Sequence, residues 1–201
     1  MLDNFSESEL KVASKLVFDG LSMAKSSMEQ ILQSPISLEK IDYSDKITVP
    51  VPKFEMVSNE NVHIIKTVLM GDLKGTSYLI FSDSEVNKIF KACLPEKFLQ
   101  GTSPESDLMK LGFLTEIDNM VAAAVITQFS NSLRLEIYGM VPFLEVKKSI
   151  EVNDYLENEA GELDQIIHFK ANFHGTELDI APDFIWILHE DFVDKVRNII
   201  K

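Results

Sequence analysis

The chain holds a single cysteine, Cys93, and only two arginines, Arg134 and Arg197. One cysteine excludes an intramolecular disulfide and any Cys-x-x-Cys metal site. Cys93 falls in an apolar helical pattern, so it reads as a buried core thiol rather than a nucleophile. Scarce arginine leaves few bidentate phosphate clamps. With 19 Lys+Arg against 32 Asp+Glu, the net charge is −13. Such a surface lacks the basic footprint that a nucleic-acid backbone requires. It suits solubility, and a partner that presents a lysine or a basic patch. Long apolar runs are missing as well. The longest, Met120 to Ile126, falls far short of the roughly 18 residues that a membrane helix needs. No basic stretch followed by an apolar core comes after Met1, so no signal peptide is expected and the default location is the cytoplasm.

Familiar chemical signatures are also missing. There is no G-x-G-x-x-G, no G-x-x-x-x-G-K-[ST], no G-x-S-x-G and no H-E-x-x-H. The four histidines, His63, His168, His174 and His189, form no i,i+4 pair. His63 and His168 fall in strand-like segments and read as structural or surface residues. No metal site is supported.

What is present is an ordinary mix of 45% hydrophobic and 25% charged residues over 201 positions. That length is enough to bury a core without staples. Val17, Leu21, Ala24, Met28 and Ile31 form one apolar stripe at helical period. The first helix is expected from near Ser6 or Ser8 to before Pro35. Residues 47–52, with two prolines, read as an extended or edge segment. Val62 to Met70 and Thr76 to Phe81 read as a hairpin joined through Gly71 and Gly75. Ser82 with Glu85 forms a capping-box pattern, and the short helix after it shows Val86, Ile89, Phe90 and Cys93 on one face. Residues 95–107 read as a connection. A second long helix is expected from about Asp107 to Ser130, with Leu114, Ile117, Val121, Ala124 and Val125 as its core stripe. Strands are expected at Leu133 to Tyr138, near Phe143 to Ile150, and at Gln165 to Phe173, Thr176 to Ile180 and Phe184 to Leu188. Asn153 to Glu162 is acidic and reads as a solvated loop. A last helix, near Glu190 to Ile200, carries Val193, Val196 and Ile200 on one face.

The order long helix, strands, short helix thus occurs twice. Val86, Ile89 and Cys93 map onto Val193, Val196 and Ile200 at a constant offset of 107. An internal duplication accounts for this. The expected fold class is mixed α+β. Residues 1–201 form a single domain of pseudo-repeat halves at about 8–94 and 106–200, joined by 95–105. The halves are related by approximate two-fold symmetry and share one sheet and two long helices.

One polar constellation stands out on the second long helix. Glu116 and Asn119 lie three positions apart, hence roughly 60° apart around the helix, on a face that is not the core stripe. Gly112, Thr115, Ala122 and Ala123 around them are small. The pair reads either as plain solvent-facing polar residues or as two side chains standing proud of a smooth surface. A mid-helix asparagine among alanines is a local inconsistency, since asparagine is a mediocre helix former.

The pattern resembles the CheC/CheX/FliY family of response-regulator phosphatases. That signature is Glu-x-x-Asn, twenty-two residues, then Pro, and here Glu116 and Asn119 are followed by residues 120–141 and Pro142. Glu116-Ile117-Asp118-Asn119-Met120-Val121-Ala122-Ala123-Ala124-Val125 also resembles the family's helix, roughly EIGNIGAGNAA. Gly71-Asp72-Leu73-Lys74-Gly75 followed by Leu79-Ile80-Phe81-Ser82 resembles its recurrent hairpin. Two departures are plain. Gly112 stands where the family often has Asp or Ser. The first half aligns Lys15 and Phe18, or in another register Glu9 and Val12, with the Glu and Asn, and Ile41 with the Pro.

The resemblance implies one surviving site, in the second half of a CheC-like protein. It implies a phosphatase acting on the aspartyl phosphate of a CheY-type receiver domain. Asn119 would orient the attacking water, Glu116 would pair with the receiver's lysine, and Pro142 would shape the neighbouring strand. It implies no cofactor on this chain and Mg²⁺ on the receiver. Two alternatives stay open: a non-catalytic adaptor that binds a receiver or a flagellar or signalling partner through the same helix, and a homodimer built through sheet edges.

Overall fold

The computed structural model describes residues 5–43, 53–55, 59–99, 103–160 and 166–200. The first helix, α1 (Glu7–Leu32), starts where a capping box holds it. Glu9 N donates to Ser6 Oγ (3.3 Å) and Ser6 N donates to Glu9 Oε2 (2.7 Å), which satisfies two amides that the helix leaves unpaired. Strands β1 (Ser37–Tyr43), β2 (Asn61–Gly71) and β3 (Gly75–Ser82) follow, then α2 (Asp83–Cys93). The predicted Ser82–Glu85 capping box is formed, at 3.2 and 2.7 Å. After a short helix α3 (Glu96–Leu99) comes α4 (Pro104–Leu133), then β4 (Ile137–Gly139), β5 (Phe143–Lys148), α5 (Val152–Ala160), β6 (Ile166–His174), β7 (Asp183–His189) and α6 (Asp191–Ile200).

The described strands form one antiparallel sheet in the order β1-β6-β7-β3-β2-β4, and β5 also pairs with β2. Helices α1 and α4 lie side by side on one face, with α2 and α6 at their flanks. Their approach is close: a Cβ on Gly20 would lie 3.2 Å from Val125 Cγ1. The main core lies between these helices and the sheet. Phe129 of α4 sits in its aromatic centre, with ring centroids 5.6 Å from Trp186 and 5.7 Å from Phe192. A smaller core lies on the other face, where α5 covers Ile64, Tyr78, Ile80 and Ile185. The mixed α+β class holds. No described helix is long and apolar enough to cross a membrane.

Several expectations need correction. Asn153 to Glu162 was expected as a loop, yet residues 152–160 are helical. Val152, Leu156 and Ala160 recur every four residues and are all buried, a period hidden among the acidic residues. Thr176 to Ile180 was expected as a strand. It is the turn between β6 and β7, closed by a bridge between Gly175 and Ile180. The strand expected from Leu133 begins only at Ile137, because α4 runs on to Leu133 and ends on Arg134 at φ 54°. Helix α4 also begins earlier than expected. Ser103 caps it and Pro104 occupies its first turn, where a missing N–H costs nothing. Strand β1 was missed, and the segment read as extended at 47–52 lies outside the described residues. Cys93 is only partly buried, packed against the core, and burial raises its thiol pKa.

Gly71 closes the β2–β3 turn at φ 102°, and a Cβ there would lie 2.1 Å from Glu136 O. Left-handed strain costs about 1–3 kcal/mol, and this overlap with backbone adds to it. Gly71→Ala is expected to lower stability by at least about 2 kcal/mol in urea denaturation. A loss below about 0.5 kcal/mol would show that the turn relaxes.

Candidate functional site

Helix α4 presents its two faces very differently. Leu114, Ile117, Val121, Val125 and Phe129 are buried against the sheet. Glu116 and Asn119 are exposed, and neither side chain hydrogen-bonds another described residue. Thr115 Oγ1 turns back onto its own helix, donating to the carbonyls of Leu111 and Gly112 (3.0 Å each). A Cβ on Gly112 would meet nothing within 4 Å. The absent Asp or Ser at that position therefore leaves open space beside Glu116 and vacates no contact.

The facing wall is made where the edge of the sheet breaks. Strand β5 pairs with β2 as far as Phe143 opposite Lys66, and β4 pairs from Gly139 opposite Leu69. Between them, residues 140–142 bow away, held by Met140 N donating to Val68 O (2.8 Å). Thr115, Glu116 and Asn119 on one side and Gly139, Met140, Val141 and Pro142 on the other enclose a shallow cleft of about 260 Å³. The structure thus brings Glu116, Asn119 and Pro142 together, although 22 residues separate Asn119 from Pro142. Val141 is 90% exposed at the rim, and Met140 and Phe143 are also exposed.

Two residues beneath the cleft escaped the sequence reading. Asp118, a spacer within the motif, is fully buried. Thr67 of β2 donates to its Oδ2 at 2.6 Å, and its Oδ1 has no partner. The only signal was that the family helix has Gly where Asp118 stands. Burial is the main cause that pushes the Asp118 carboxyl up to about 7, against a lowering by the Thr67 hydrogen bond.

Among the described residues, the first-half positions aligned with the pair form no equivalent. Lys15 on α1 is ion-paired with Asp19, and Phe18 is exposed. Glu9 is engaged by Ser6 and by Arg197 Nε (3.0 Å). A cavity of about 380 Å³ elsewhere is lined by Lys170 and Asp183, among others. Those two buried charges pair with each other at 3.0 Å, so it reads as a structural feature. No cluster of metal-ligand type occurs among the described residues.

No family model and no curated protein matches this sequence. Solved structures do match its fold. FliY of Thermotoga maritima superposes with TM-score 0.64 at 15% identity, covering 99% of this chain and 98% of that one. The chain has the CheC/CheX/FliY fold. A CheX–CheY–BeF3–Mg²⁺ complex from Borrelia burgdorferi contributes a second neighbour, at TM-score 0.58 and 14% identity, covering 87% of this chain and 97% of that one. The FliM middle domain of H. pylori matches at TM-score 0.53 and 11% identity, covering 97% and 99%. At these identities the likeness concerns the fold of the CheC/CheX/FliY proteins, and it spans nearly the whole chain.

The buried carboxyl has a consequence for stability. An unfolded Asp118 titrates near 3.8 and the folded one near 7. Between those values the folded state keeps a proton that the unfolded chain has released, so stability falls as pH rises through that window and is flat above it. Asp118→Asn removes this loss. Relative to the parent, its gain is expected to be near zero at pH 4 and up to about 4 kcal/mol at pH 8. Urea denaturation at both pH values measures it. A gain that does not change with pH refutes the assignment.

Proposed function

We propose that this protein accelerates hydrolysis of the aspartyl phosphate on a CheY-type receiver domain. The observation that carries the reading is the convergence of Glu116, Asn119 and Pro142 on one open cleft, in a chain of CheC/CheX/FliY fold. The neighbour solved as a CheX–CheY complex supports the class of partner. FliM middle domains share the fold, so the fold by itself does not choose between phosphatase and adaptor.

Hydrolysis joins a water oxygen to phosphorus, breaks the bond to the aspartyl oxygen, and releases inorganic phosphate. In this reading the receiver holds the Mg²⁺ and this chain needs no cofactor. Asn119 contributes position. Its amide can accept a hydrogen from the attacking water and donate to a neighbouring oxygen, and being neutral it adds no repulsion near the phosphoryl group. Glutamine plays the comparable part in GTPases. Orienting a reactant this way is worth several kcal/mol, and a long helix packed on a sheet is a rigid base for it. Glu116 lies on the same exposed face. It pairs with the receiver's active-site lysine and fixes the docking register, which suits the acidic balance of the whole chain.

Asn119→Ala is expected to slow receiver dephosphorylation on the order of 100-fold while leaving receiver binding largely intact. Glu116→Lys is expected to weaken binding itself, since like charges would then meet. A panel of phosphorylated receivers, followed for loss of phosphate with and without the protein, measures the first effect. Pull-down on beryllofluoride-activated receiver measures the second. Unchanged turnover in Asn119→Ala would falsify the mechanism. Binding without any turnover by the parent protein would favour the adaptor.

A further inference from the structure

A fully buried carboxyl group with one unpartnered oxygen is a costly thing to keep. Asp118 is such a group, and it lies in the helical turn between Glu116 and Asn119. The acid therefore asks for an explanation in terms of what it holds.

Its partner is placed informatively. Thr67 lies on the helix-facing side of β2, opposite Ser77 of β3. On the other side of β2, Thr67 falls in the gap between its two edge partners, because β5 pairing ends at Lys66 and β4 pairing begins at Leu69. Residues 140–142, which form the second wall of the cleft, span that gap and are tied to Val68 O through Met140 N at 2.8 Å. The first wall is tied to the adjacent residue by the 2.6 Å bond from Thr67 to Asp118. Both walls are thus referenced to two consecutive residues of one strand. The rest of α4's contact with the sheet in this region is apolar, through Ile117, Val121 and Ala122. Apolar packing is non-directional, so it leaves a helix freer to slide or roll than a hydrogen bond of defined geometry does.

We propose that Asp118 and Thr67 form a positioning pair that sets the separation of the two walls of the cleft, and so places Glu116 and Asn119 relative to Pro142. The pair touches no substrate and acts through the helix turn. Its role in turnover rests on the phosphatase reading above, whereas its role in cleft geometry does not.

The test separates the two. Nitroxide labels placed at Ala123 and Val141, both exposed, in a Cys93→Ser background report the separation of the walls by electron paramagnetic resonance. A single narrow distribution is expected for the parent, for Thr67→Ser, which keeps the hydroxyl, and for Asp118→Asn, which keeps an acceptor. A broadened or shifted distribution is expected for Thr67→Val, which keeps the shape and loses the donor. If Thr67→Val matches the parent, the pair positions nothing and the proposal is overturned, whatever the protein's activity. On a receiver that the parent dephosphorylates, unlabelled Thr67→Val is expected to lose about tenfold in kcat with a smaller loss of receiver affinity, and Thr67→Ser to restore both. Full kcat in a Thr67→Val protein with a disturbed cleft would overturn the link to catalysis. A parent inactive on every receiver would overturn the function proposed above, and the resonance data would still decide the positioning role. Should Thr67→Val fold poorly, Asp118→Leu removes the acceptor instead and is read the same way.

Discussion

The burial of one stripe along α4 is what the rest of the molecule is arranged around. Leu114, Ile117, Val121, Val125 and Phe129 are each at most 1% exposed. Fully burying a side chain of this size contributes about 1.5–3 kcal/mol. That stripe fixes the rotation of the helix, and the rotation decides which residues are left outside. Small neighbours follow from the same constraint, because Gly20 of α1 must come close to Val125 for the two long helices to share the sheet. Once the stripe is seated, Glu116 and Asn119 face outward, and what remains to be set is the exact separation of that face from the sheet edge.

Against this background Asp118 stands as a deliberate exception. It occupies the inward side of the same turn, among the buried apolar residues Leu114, Ile117 and Val121. Natural sequences break a local rule chiefly at functional sites and offset the cost elsewhere. The large apolar contact of α4 supplies that offset. The clustering of the exception with Glu116, Asn119 and the broken sheet edge is more informative than the burial alone.

Much of this could be read directly from the residues. The periods of α1, α2, α4 and α6 were visible, as were the β2–β3 hairpin and the Ser82 cap. The family resemblance grouped Glu116, Asn119 and Pro142 in one motif, and the fold brings them together. What was hidden had physical causes. Helix α5 carries its three apolar residues among acids, and only the second sheet face gives them something to cover. Strand β1 is an edge strand with a shifted register at Leu38/Lys40, so its alternation is imperfect. Residues 95–107 were read as a connection, although Pro104 within them starts a helix. The Thr67–Asp118 bond depends on how α4 lies over β2, a relation that no local pattern encodes.

On α1, Lys15 and Phe18, which one register sets against Glu116 and Asn119, lie beside Asp19, with the lysine and aspartate closed on each other. On the function proposed above, the described residues of each chain offer one such cleft. On that reading each chain engages one partner at a time, and gains nothing from a partner's being clustered or dimeric unless the chain itself is tethered or paired. Any sharpness in its response to partner concentration must then come from assembly outside the cleft, because a lone site of this kind saturates along a simple hyperbola.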